Sequence, residues 1–204
     1  MPENSIAVLA LPEDPRHKIG DAILRLVLSV PESNEGTAVQ PELRARWLGR
    51  AAARQASLMA GSLALPPGVL GWLTILPELL AVWRLQAQMV SDIAAVYGKS
   101  ATLGREQMLY CLFKHVSAQL FRDVVVQVGE RFVVQRASLV FIQYAARTLG
   151  VKVTQNVIGK SVSRLLPLIG AVGVGAYAYF DTTQVAKTAI ALFSSEIVLD
   201  PQAS

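Results

Sequence analysis

Cys111 and His115 are the two side chains whose types and spacing most invite a catalytic reading. Four residues apart on a helix, they can meet. An imidazole beside a thiol can take its proton and leave a nucleophilic thiolate. The neighbours Leu112 and Phe113 argue the other way, for a buried thiol next to a histidine at a helix edge. Asp92 with Asp123 offers a second route, two carboxylates for hydrolysis. Neither pair is a convincing catalytic constellation, so the sequence favours a protein that is not an enzyme. His17 stands in a proline-rich lead, away from Cys111. With one cysteine and two histidines, a His/Cys metal cage is excluded, and neither metal nor cofactor is expected. The glycines of Gly170-x-x-Gly173-x-Gly175 have the wrong spacing for a dinucleotide fingerprint, and no strand precedes them. With Ala171, Ala176 and Ala178 they read as a small-residue face that lets helix backbones approach, or alternatively as a hinge or a membrane-inserting hairpin.

Binding chemistry is easier to place. Arg46, Arg50 and Arg54 form an i, i+4 ladder, with Arg44 nearby and Trp47 beside it. Like charges at this spacing repel by about 0.2–0.5 kcal/mol per pair, which an anionic partner would relieve. A solvated helix face is the simplest reading. An anionic membrane surface comes next, because Trp47 suits an interface. Nucleic acid is not expected, since no base-stacking aromatic series accompanies the arginines. Lys160 and Arg164 join these residues as candidates for holding a lipid or anion. Glu78, Arg84, Asp92 and Lys160 are charges in or beside apolar segments, and such charges must pair or reach water. Asp92 could pair with Lys160 or Arg164 across helices. The apolar cleft such groups would guard is drawn from Leu70, Trp72, Leu76 and Trp83 on one segment and Ile169, Val172 and Tyr179 on another.

Two apolar segments punctuated by proline and glycine must position these residues. Residues 55–83 carry a single charge, Glu78, and are long enough to span a bilayer, but Pro66, Pro67 and Pro77 interrupt them. Residues 165–180 carry no charge and are short for a span. The balance favours a soluble or peripheral protein over an inserted one. Composition agrees that apolar surface needs covering: 52% of the 204 residues are hydrophobic and only 17% charged, where about 25% is usual. The net charge of +4 is modest for a nucleic-acid binder. One cysteine excludes an intrachain disulfide and fits a reducing compartment.

The periodicity predicts an all-α, compact multi-helix bundle with two apolar Pro/Gly-hinged helical segments. Helices are expected over 16–30, over Pro41–Leu63, from Pro77 to a cap at Gly98, over 103–118, from 138 to a stop at Gly150, and over 151–166, 168–180 and 182–193. Residues 124–134 fit both a helical face and a hairpin about Gly129-Glu130; the helix is preferred. Residues 1–15 read as a flexible lead, 16–193 as one helical domain, and 194–204 as a loose tail.

The segments Leu65-Pro66-Pro67-Gly68, Pro77-Glu78, Arg84-Leu85 and Ile93-Ala94-Ala95-Val96-Tyr97-Gly98 resemble the EcsC family of bacterial proteins. So do Gly159-Lys160, Arg164-Leu165-Leu166-Pro167, Gly170-Ala171, Thr183, Val185-Ala186, Ala191 and Phe193. The matched regions cover about half the chain. The resemblance implies a compact, mostly helical bacterial protein. It implies no activity, because the family takes its name from an accessory gene beside an ABC transporter, and it carries no catalytic residues. Taken together, the expectation is a non-enzymatic, membrane-associated accessory protein that binds a lipid, an apolar ligand or a membrane-protein partner. It would be cytoplasmic and peripheral at the inner membrane. The alternative is a soluble structural or interaction module that self-associates.

Overall fold

Proline at the first helical position opens three of the helices. Its ring fixes φ near the helical value, and its missing N–H would be unbonded there anyway. These are α1 (Pro15–Leu28), α2 (Pro41–Leu63) and α6 (Pro167–Ser194). Between them lie α3 (Gly71–Val96), α4 (Arg105–Phe113) and α5 (Leu139–Gly159). The computed structural model describes residues 15–63, 71–159 and 167–200. Among these residues three short strands, β1 (Val125–Val128), β2 (Arg131–Gln135) and β3 (Glu196–Asp200), complete a mostly helical fold.

Three helices run through residues expected to break them. Helix α3 starts at Gly71 and contains Pro77, so Pro77 does not begin it. An interior proline costs about 3 kcal/mol. The burial of Trp83, Val90 and Ile93 in the following turns offsets that cost. Helix α5 passes through Gly150, and α6 runs unbroken from Pro167 past Gly175 and Asp181. Pro66 and Pro67 lie outside the described residues, so the hinge expected there does too. Helix α4 is shorter than expected and ends at Phe113. Gly98 does cap α3: it has φ +69°, and its N–H donates to the Ala95 carbonyl at 2.8 Å.

The preferred helix at 124–134 is corrected to a hairpin. Strands β1 and β2 pair antiparallel from Val125↔Val134 to Val128↔Arg131, around a two-residue turn in which Gly129 takes φ +61°. A helix would have put Val128 on the face of Val124 and Phe132, yet Val128 is 61% exposed. The β-branched valines prefer strands, and Phe132 and Val134 bury one face with period two. The tail is corrected as well. Residues 196–200 form β3, parallel to β2 from Arg131↔Glu196 to Gln135↔Asp200. A parallel partner requires a crossover, which α5 and α6 supply. Arg131 Nε lies 2.7 Å from Glu196 Oε2 at the start of the pairing.

Helix α4 is the centre. Every residue from Gln107 to Phe113 is buried, as expected of a helix enclosed on all sides. Phe113 meets Trp83 edge-to-face at 5.4 Å, and Tyr110 meets Phe121 at 5.7 Å and Phe132 at 6.5 Å. The outer helices approach through small residues. Ala56 and Ala60 of α2 cluster with Ala178 of α6, and a Cβ on Gly49 would stand 2.8 Å from that of Ala186. Gly150 of α5 presses on the α1 backbone at Gly20. Of the glycine-rich face expected at the start of α6, Ala178 takes part in packing, whereas Gly173 faces open space. Among the described residues no helix is long and apolar enough to cross a membrane.

Candidate functional site

The segment between α1 and α2 is tied to α3, and this sets the start of α2. Asp92 Oδ1 accepts from the Ser33 hydroxyl at 2.6 Å and from Gln88 Nε2 at 2.9 Å. The same Gln88 amide donates to the Glu32 carbonyl at 3.0 Å, and the Ala38 N–H donates to the Val96 carbonyl at 3.0 Å. Asp92 is thus held by a hydroxyl and an amide on its own side of the fold. Lys160 and Arg164, its suggested cross-helix partners, lie outside the described residues. Asp123, its other suggested companion, is exposed just beyond a short 3₁₀ turn at Ala118–Phe121.

The inner face of α2 is alanine and glycine against α6. The outer face carries the arginines. Arg44 forks Glu35 (Nη2–Oε1 2.7 Å, Nε–Oε2 3.1 Å), and its guanidinium lies 4.5 Å from the Trp47 ring centroid. Bonding to Glu35 raises the Arg44 pKa against the opposing effect of desolvation, so its charge is fixed. Arg46 pairs with Glu42 at 2.5 Å. Arg50 donates to the Arg46 carbonyl at 3.3 Å, but neither Arg50 nor Arg54 meets a carboxylate among the described residues.

Apolar side chains share that outer face. Trp47 is 53% exposed, Leu43 61% and Leu58 74%. Leu43 and Trp47 are four apart, and Arg50, Arg54 and Leu58 continue at three and four, so these stand on one side of the helix, while exposed Val39 lies in the segment just before it. The sequence reading found the arginines and Trp47 but missed Val39, Leu43 and Leu58. The i, i+4 spacing was the available signal. A shallow hollow of about 460 Å³ lies at the start of this face, lined by Glu35, Ala38, Val39, Gln40, Leu43 and Arg44.

The expected apolar cleft is only partly described. Leu70 lies outside the described residues. Trp72, Leu76, Ile169 and Val172 lie within α3 and α6, but their side chains are outside the description. Trp83 is in the core against Phe113, while Tyr179 is 41% exposed on α6.

His115 faces Asp181 rather than a thiol. It follows the end of α4, with Nε2 2.7 Å from Asp181 Oδ1. Gln86 Nε2 donates to Asp181 Oδ2 at 2.8 Å and to Thr182 Oγ1 at 3.0 Å. The cluster ties α3, α6 and the turn after α4 together. No local pattern could have found it, because His115 and Asp181 are 66 residues apart. A His–Asp pair can move protons, but no hydroxyl or thiol hydrogen-bonds to His115 among the described residues.

Cys111 is fully buried, and desolvation pushes its thiol far above the ordinary value, with the Lys114 charge opposing. The native thiol is therefore expected to resist a disulfide reagent at pH 8 and to react only once urea unfolds the chain. Prompt reaction of the folded protein would contradict the burial. The linkage has a definite sign. Below pH 9 both states keep the proton. Above it only the unfolded chain ionises, so stability should fall with rising pH by up to about 1.4 kcal/mol per unit from this group.

Compared with known proteins, the chain matches no family model, no curated protein and no solved structure.

Proposed function

We propose that this is a non-enzymatic, EcsC-like accessory protein that docks on an anionic lipid surface through the outer face of α2. In the bacterial cell, that surface would be the cytoplasmic side of the inner membrane. One observation carries the reading: the exposed apolar side chains Leu43, Trp47 and Leu58 and the arginines Arg46, Arg50 and Arg54 occupy the same helix face. Each basic side chain at an anionic surface contributes about 1 kcal/mol. An amphipathic face lying in the interface buries its apolar residues among the headgroups. Trp47, with the Arg44 guanidinium over its ring, has both an apolar body and a charged neighbour for that depth. Glu42 and Glu35 neutralise Arg46 and Arg44, which leaves Arg50 and Arg54 as the strongest contributors.

The test is sedimentation with vesicles. The protein is expected to pellet with equal parts phosphatidylcholine and phosphatidylglycerol, to stay in solution with phosphatidylcholine alone, and to be released by high salt. The combined change Arg46→Glu, Arg50→Glu and Arg54→Glu is expected to weaken anionic-vesicle binding by roughly 100-fold or more. Wild-type protein that never pellets, or a triple variant that pellets unchanged, would overturn the proposal.

A further inference from the structure

Helix α1 is held most closely by α5. Where it crosses α5, a Cβ on Gly150 would stand 2.7 Å from the Arg16 carbonyl oxygen and 2.8 Å from the Gly20 nitrogen, so the two backbones are in contact. Ile19, Ile23 and Val27 of the same helix point into the core. On its other flank it meets α3 less closely than it meets α5. A groove of about 820 Å³ runs there, within the size range of small-ligand sites.

The lining has two chemistries. Half-buried Leu26 of α1 and Leu80 of α3 supply the apolar wall, with the buried Ala22 and Ala87 behind them and Ser29, Pro31 and Gln88 at the margin. Arg25 from α1 and Arg84 from α3 supply positive charge, with Lys18 and one carboxylate, Asp21, also among the described lining residues. Arg25 Nε donates to the Asp21 backbone carbonyl at 3.4 Å, which leaves its two terminal nitrogens for another acceptor. Arg84 is exposed and meets no carboxylate among the described residues.

We propose that the α1–α3 groove binds a single-chain acidic amphiphile, a medium- or long-chain carboxylic acid. Its chain would lie on the wall formed by Leu26 and Leu80 and its carboxylate between Arg25 and Arg84. A neutral apolar molecule would leave the charges unused, and a small polar anion would leave the wall wet. Arginine is suited to the head group, because its planar donors match a carboxylate in two parallel hydrogen bonds. The site is separate from the outer face of α2 and does not depend on membrane docking.

The probe is decanoate below its micelle-forming concentration, titrated by calorimetry, with octanoate, decanol and acetate as comparisons. One decanoate is expected per chain. Affinity should fall roughly fourfold for each methylene removed, while acetate shows no heat. Arg25→Glu with Arg84→Glu should weaken decanoate at least about tenfold and leave the weak binding of decanol unchanged. Both arginines are exposed, so the variant is expected to fold, and circular dichroism checks that it does. A diazirine-bearing decanoate should crosslink to α1 and α3. The proposal fails if wild-type protein takes up no decanoate, if the double variant binds it as tightly, or if the crosslinks fall on other helices.

Discussion

Phe113→Ala is expected to lower the free energy of unfolding by about 3–5 kcal/mol. The ring is among the largest fully buried side chains, at the end of a helix whose residues from Gln107 onward are all enclosed. Its edge-to-face contact with Trp83 couples α4 to α3 directly, and aromatic pairs of this kind add about 0.5–1.5 kcal/mol beyond area. The void would open between three elements that cannot all close on it, because His115, Asp181 and Gln86 pin the turn after α4 to α6 and α3. Trp83 fluorescence in a urea titration reads the change. Phe113→Leu, which keeps most of the volume, should cost under about half as much. A loss below about 1 kcal/mol for the alanine variant would show that α4 is not the centre of the core.

Gly150→Ala is expected to destabilise by about 2–3 kcal/mol, although alanine is the better helix former. The added methyl would meet backbone, at Arg16 and Gly20, and backbone cannot rotate away as a side-chain tip can. Either α1 shifts or α5 bends. Gly36→Ala is the matched control: nothing lies within 4 Å of its Cβ position, and the change should fall within about 0.5 kcal/mol. Chemical denaturation of both variants gives the comparison. A Gly150→Ala protein as stable as wild type would mean that α1 is not seated on α5 as described.

The elements legible in the sequence were those whose ends carry local chemistry. Helix α2 runs from Pro41 to Leu63, as its proline, acidic first turn and alanines indicate, and Gly98 caps α3 through its positive φ. Gly150 defeated the same logic, because a glycine that stops a helix and one that admits a neighbouring backbone look alike in one chain. Residues 124–134 satisfied both periodicities; the choice was made by Gly129 and by β3, whose partner lies beyond two helices. Pairings such as His115 with Asp181, or Asp92 with Ser33, come from tertiary folding and leave no local trace. Of the candidate site, the arginine ladder was plain in the sequence. Its apolar companions Leu43 and Leu58 needed the helix to be oriented before their exposure had meaning.

The order of strands also governs how the chain must assemble. The β1–β2 hairpin is local and can close early, whereas β3 reaches β2 only after α5 and α6 have formed and docked. Until then one edge of β2 presents unpaired N–H and carbonyl groups beside Val133 and Val134. An open, valine-rich edge is a template for a second chain as much as for its own third strand. Refolding yield is therefore a race between intramolecular docking of α6 and intermolecular strand addition. Dilution favours the first, and crowding of unfinished chains favours the second.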